Sequence, residues 1–213
     1  MVSISEGVLV TPFVILKNEN MNLDYLPKAS EGHMTPLEST LDLWTSLQSD
    51  TGYKHLFEIG LNAGHSTAMN LTLFPYVKVT SIDIGRHQYT QVAADILREK
   101  FSPRFDYHQI DSQSYYKQSL IGNGRHSDDI DAVFIDGGHT FQDVINDFAL
   151  SRLIGAIDIF VDDTDGGAVG FACQCLETLG TIIKIKDYQY QSWSENKNDP
   201  RYYDNQVTHY RFT

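Results

Sequence analysis

From residue 55 onward, short apolar runs alternate with stretches of helical spacing. His55 to Ile59, Val77 to Ile82, Phe105 to Ile110, Ile130 to Ile135 and Ala156 to Val161 are short, rich in β-formers and nearly continuous in apolar residues. Between them, Ser66 to Phe74, Gln88 to Phe101, Ser112 to Leu120, Phe141 to Leu153 and Ala168 to Leu179 read as helices. Continuously apolar strands separated by helices predict a parallel sheet covered on both faces. Thr181 to Tyr190 and Gln206 to Phe212 then alternate like strands, and the polar stretch between them leaves no room for a crossover helix, so they are expected to pair antiparallel. Residues 1 to 54 differ. Gly7 to Leu16 reads as extended, Asn18 to Pro36 is rich in turn formers, and Leu37, Leu41, Trp44 and Leu47 recur near helical spacing. This segment is expected to be an N-terminal lid or packing helix (1–54) ahead of the main domain (55–213). The turn-forming run Gly122 to Asp129 reads as a solvated loop.

Candidate chemistry starts where the first strand ends. Phe57-Glu58-Ile59-Gly60-Leu61-Asn62-Ala63-Gly64-His65-Ser66-Thr67 joins an apolar run ending in an acid to a glycine-spaced turn that opens a helix. Gly60 and Gly64 permit close backbone approach to a ligand, and Ser66 can cap the helix. A dinucleotide site reads G-x-G-x-x-G, with helix N–H groups facing a pyrophosphate. Here the spacing is E-x-G-x-x-x-G-x-S, with Asn62 where that pattern carries glycine.

Ligands of open α/β sheets bind outside the carboxyl ends of the strands, so the acids at those ends matter most. Asp83 closes the second strand at the interval where an acid reaches ribose hydroxyls; the plainer role is to cap a turn with Gly85. Asp111-Ser112 follows the third strand, and Asp-Ser also makes an ordinary helix cap. The fourth delivers Asp136-Gly137-Gly138-His139 and the fifth Asp162-Asp163. Three carboxylates at one rim repel, so a cation should offset them, and oxygen-only ligands favour Mg²⁺, or Mn²⁺ and Ca²⁺, over zinc. The alternative is that Asp162 or Asp163 caps the next helix and a cationic cofactor alone relieves Asp136. His139, three residues past Asp136 on a Gly-Gly turn, is a candidate general base, metal ligand or orienter of Asp136. Tyr115-Tyr116, Tyr188 to Trp193 and Tyr202-Tyr203 are candidates to line an acceptor pocket.

The Glu58 to Ser66 turn resembles motif I of class I S-adenosylmethionine-dependent methyltransferases. The later residues, IDGGHTFQDVINDF followed by VDD, resemble metal-dependent sugar O-methyltransferases of the mycinamicin and macrocin type; Gly138 departs from their pattern, which often carries Asp there. That resemblance, covering roughly Phe57 to Gly170, implies a Rossmann-like, mostly parallel seven-stranded sheet with an antiparallel terminal strand. It implies a cofactor site of Glu58, Gly60, Asn62, Ala63, Gly64, Ser66, Asp83, Asp111, Ser112 and Asp136, with Asp111 matching the third-strand acid that meets adenine. It further implies Mg²⁺ (or Mn²⁺) on Asp136, Asp162 and Asp163, His139 as catalytic base, and a sugar or other small-molecule hydroxyl as acceptor. A nicotinamide-dependent oxidoreductase and a noncatalytic cofactor-binding protein are the alternatives.

Composition narrows the partners. The net charge of -12 argues against phosphate-backbone binding, so no nucleic-acid partner is expected. Cys173 and Cys175 alone make neither a disulfide framework nor a zinc cage. The N-terminus has no basic region leading into a long apolar core, and no apolar run reaches the ~20 residues a membrane span needs; a cytoplasmic protein is expected, a homo-oligomer being compatible with the chain.

Overall fold

The computed structural model describes residues 21–29, 34–121, 130–194 and 201–213. The expected extended segment from Gly7 to Leu16 and the loop from Gly122 to Asp129 lie outside these residues, as do Gly32 and His33 of the expected lid. The element order is α1 (Glu38–Thr51), β1 (His55–Ile59), α2 (His65–Leu73), β2 (Lys78–Asp83), α3 (Gln88–Phe101), β3 (Phe105–Gln109), α4 (Ser112–Ile121), β4 (Ala132–Ile135), α5 (Phe141–Leu153), β5 (Asp158–Val161), α6 (Gly167–Thr178), β6 (Ile182–Ser194) and β7 (Arg201–Phe212). They form a seven-stranded sheet in the order β3-β2-β1-β4-β5-β7-β6. β1 to β5 are parallel, and β7 runs antiparallel to both β5 and β6. The alternation of strands and helices predicts this parallel core and its antiparallel terminal pair, and the seven-stranded sheet is the one that the sequence resemblance implies.

Both faces are covered, which is why the central strands carry no polar alternation. Leu56, Phe134 and Phe160 point to one side and pack with residues of α1, α2 and α3; Phe57, Val133, Ile135, Ile159 and Val161 point to the other and meet α5 and α6. Trp44 of α1 is fully buried, its ring 5.0 Å from that of Phe134. The described part of the N-terminal segment therefore shares the core of the sheet, and Met34 is buried with it. α1 is a packing helix: Leu43, Trp44 and Leu47 form its buried stripe, and Gly52, at φ 69°, ends it in the left-handed conformation.

β6 and β7 run longer than the sequence alternation suggests. Their pairing continues to Ser194↔Arg201, so much of the stretch expected to be a polar connection is a two-stranded ribbon. Polar side chains hold it there: Gln191 Nε2 donates to Asp204 Oδ1 at 2.9 Å, and Asn205 Nδ2 to Ser192 Oγ at 2.9 Å. The ribbon brings Tyr190, Ser192 and Asn205 to the cleft above the ends of β4 and β5.

Candidate active site

The carboxyl ends of the parallel strands are level because their backbones pair across the rim. Gly60 N donates to Ile82 O, Asp136 N to Ile59 O and Asp162 N to Ile135 O, at 2.8, 2.9 and 3.0 Å. This alignment delivers Asp83, Asp136, Asp162 and Asp163 to one cavity of about 770 Å³. Of the sequence-derived site residues, Gly60, Asn62, Asp83, Asp111, Ser112, Asp136, His139, Asp162 and Asp163 line it; Glu58, Ala63, Gly64 and Ser66 do not.

Glu58 is fully buried and accepts hydrogen bonds from Ser66, Thr67 and Ser81. Burial raises its pKa, and the three hydroxyls pull it back down. Its carboxylate thus ties β1 to β2 and α2 behind the turn, away from the cavity. Ser66 does not cap α2: the helix starts at His65, so its N-cap is Gly64, at φ 81° with no side-chain cap bond, and Ser66 is already inside the first turn with its hydroxyl donated to Glu58. Gly64 serves packing, since a Cβ there would lie 2.7 Å from Leu97 Cδ1. Gly60 serves a backbone crossing, since a Cβ there would lie 2.0 Å from the carbonyl oxygen of Asp136.

Asp83 accepts from Asn62 N at 3.0 Å through Oδ2 and from Gly85 N at 2.7 Å through Oδ1. The turn-capping role is therefore present, and the same carboxylate also grips the glycine turn and faces the cavity. Each oxygen keeps a lone pair for a ligand hydroxyl. Asn62 holds the left-handed conformation, φ 50°, that bends the turn over the strand end. Asp111 caps α4 by accepting from Ser114 N and Ser114 Oγ, both at 2.7 Å, which lowers its pKa.

The acidic pole lies at β4 and β5. Thr140 caps α5, accepting from Asp143 N at 3.2 Å while its hydroxyl donates to Asp143 Oδ2 at 2.6 Å. This fixes the first turn of α5 and so places His139 on the rim. Asp143 also accounts for Gly138: a Cβ at 138 would lie 2.5 Å from Asp143 Oδ2. His139 Nε2 is 3.3 Å from Asp163 Oδ2, and one ligand atom from each of Asp136, His139 and Asp163 falls within 4.8 Å of the others. Asp163 itself holds φ 56°, a conformation uncommon for a residue with a side chain and typical of constrained sites. Burial raises the Asp136 pKa well above the usual carboxylate range, and repulsion from Asp162 and Asp163 adds to it. Asp162 and Asp163 are raised for the same first reason, with His139 partly relieving Asp163.

In the sequence Tyr190 stands only among residues that could line an acceptor pocket; its tie to the acidic pole is visible in the fold alone. Its hydroxyl lies 2.9 and 2.7 Å from the two oxygens of Asp162, and Asn205 Nδ2 donates to the Tyr190 oxygen at 3.2 Å. The period-two alternation of Tyr188, Tyr190 and Ser192 was the available signal, since it puts these residues on one face of β6. Asp162 is consequently held by protein donors, whereas Asp136, His139 and Asp163 form the open group. The residues fit a hard divalent cation: mutually repelling carboxylates at a cavity wall, oxygen-rich, with no cysteine among them.

Residues 57–155 match the family model of a methyltransferase domain. No curated protein matches the chain. Among solved structures, a candidate RNA methyltransferase from Pyrococcus horikoshii superposes with a TM-score of 0.64 at 11% identity, over 88% of this chain and 90% of that one. The O-methyltransferase TomG of Streptomyces achromogenes, involved in tomaymycin synthesis and solved with S-adenosylmethionine, gives 0.56 at 16% identity over 81% and 79%. An O-methyltransferase from Bacillus cereus, solved with S-adenosylhomocysteine, gives 0.57 at 14% identity over 88% and 85%. At these identities the structures speak for the fold alone: the chain has a Rossmann-like methyltransferase fold, within which residues 57–155 are similar to a methyltransferase domain.

Proposed function

We propose that the chain is an S-adenosylmethionine-dependent O-methyltransferase assisted by a divalent cation and acting on a sugar or other small-molecule hydroxyl. One observation carries the reading: a single cavity joins the Gly60, Asn62 and Asp83 turn at one strand end to Asp136, His139, Asp162 and Asp163 at the others. The first group suits a nucleoside bearing ribose hydroxyls. The second suits a cation and a hydroxyl that must lose a proton.

Asp136, Asp163 and, through the lone pairs that the Tyr190 hydroxyl leaves free, Asp162 would hold Mg²⁺ or Mn²⁺, which when bound would supply Lewis-acid charge to the acceptor oxygens. His139 takes the hydroxyl proton on its imidazole, and Asp163 orients the ring from 3.3 Å. The acceptor oxygen then forms a bond to the donor methyl carbon as the carbon–sulfur bond breaks, leaving the methyl ether and the neutral thioether S-adenosylhomocysteine. The protein's contribution is orientation and electrostatics, because the sulfonium is already activated. A second role for His139 has geometric support: it belongs to the open three-residue group, which favours it as a cation ligand.

The test is methyl transfer from labelled S-adenosylmethionine to a panel of hydroxyl acceptors. Chelator should abolish transfer and Mg²⁺ restore it, and Asp163→Asn should weaken Mn²⁺ binding while sparing S-adenosylhomocysteine binding. Full transfer in chelator would contradict the metal-assisted reading.

A further inference from the structure

Asp147 stands apart from the acidic pole. It lies on α5, is 1% exposed, and lines the same cavity. Neither of its carboxylate oxygens has a hydrogen-bond partner among the described residues. Burial pushes its pKa up to about 7; the nearby Ser112 hydroxyl pulls it down and Asp143 pushes it up, although the geometry leaves both oxygens without a donor. A buried acceptor left unmade is costly, and native structures rarely keep one without a purpose.

The surroundings say what could meet it. A Cβ on Gly137 would touch Ile59 Cγ2 at 3.2 Å and Asp147 Oδ2 at 3.4 Å, so the bare glycine backbone keeps Asp147 open between them. Ile59, Ile82, Ile84 and Ile110 give the same cavity apolar wall. Two unpartnered acceptors beside apolar surface suit a flat, largely apolar ring that presents an N–H donor. Ser112, beside Asp147, opens α4 at the end of β3, one strand beyond β2 and Asp83.

We propose that Asp147 is a cofactor-binding residue that accepts the exocyclic amine of adenine and so selects an amino-purine over an oxo-purine. The proposal rests on the S-adenosylmethionine reading and names a recognition residue within that site. A site built around a ligand donor rejects the analogue lacking it, because its acceptor is then left facing another acceptor.

The experiment is calorimetric titration of the full chain with S-adenosylhomocysteine and with its inosine counterpart, in which the amine is replaced by an oxo group. The wild type should prefer the adenine compound by at least ~10-fold. Asp147→Asn, close to isosteric and able to donate to the oxo group, should narrow or invert that ratio. The ratio is internal to each protein, so a modest loss of stability does not disturb it. An unchanged ratio in the variant overturns the role of Asp147 alone. A wild-type ratio near one overturns it even if the variant does not fold. Absence of S-adenosylhomocysteine binding by the wild type removes the cofactor reading and this proposal together.

Discussion

Glu58, one residue before the end of β1, and Asp83, at the end of β2, both follow apolar runs in the sequence, yet the structure separates them. Glu58 turns inward because Ser81 faces it in the parallel register and Ser66 and Thr67 approach from α2, so its charge is absorbed by three hydroxyls. Asp83 turns outward to the cavity. The position of an acid after an apolar run was legible; which way its side chain turns was not, since that depends on partners supplied by other elements. His139 was legible for a different reason, as a Gly-Gly turn and a helix cap fix its place from adjacent residues. If it is the base, His139→Ala should lower turnover by ~10² to 10⁴-fold, spare S-adenosylhomocysteine and Mn²⁺ binding, and remove the acidic limb of the rate profile. Loss of Mn²⁺ affinity in the same variant would assign it to the cation instead.

At the scale of elements, the five strand-helix units were readable because each apolar run is continuous and each helix follows at once. The ribbon of β6 and β7 was only half readable. Its distal part is held by Gln, Asn, Ser and Asp side chains that, in sequence, have the composition of a loop. That ribbon supplies Tyr190 to Asp162, so a contact between β5 and β6 that hydropathy does not report completes the acidic pole. The β1 to α2 turn makes the sharpest demand on backbone. Gly60 holds φ 102° against the Asp136 carbonyl, where an added methyl would lie only 2.0 Å from the oxygen. Gly60→Ala should therefore destabilise the fold by about 1–3 kcal/mol and displace the end of β4, weakening ligand binding beyond the loss of stability. Thermal melting together with calorimetry checks both effects; a wild-type melting point would show that the turn is not under this constraint.

For the molecule as a whole, an acidic composition meets a cleft in which several carboxyl groups are buried or half-buried. The chain carries a net charge of -12, and several of its acids face one cleft. Asp147 gives a clean consequence for stability. Its folded pKa, about 7, lies above the ordinary carboxylate value, so the folded state holds its proton more tightly than the unfolded chain. The stability tied to that proton is fully present below about pH 4 and is lost as pH rises through about 7, an effect on the order of a few kcal/mol. Denaturation of the ligand-free protein should show this fall, and Asp147→Asn should flatten that part of the curve. An equal slope in both proteins would place the proton elsewhere. Among the described residues, no helix is long and apolar enough to cross a membrane.

The most direct measurement is calorimetric titration of the full chain with S-adenosylhomocysteine and, separately, with NAD. S-adenosylhomocysteine should bind, with binding weakened by about 1.5–3 kcal/mol in Asp83→Ala through loss of charged hydrogen bonds to the ribose, and NAD should show no comparable binding. Tight NAD binding with no detectable S-adenosylhomocysteine binding would contradict the S-adenosylmethionine reading.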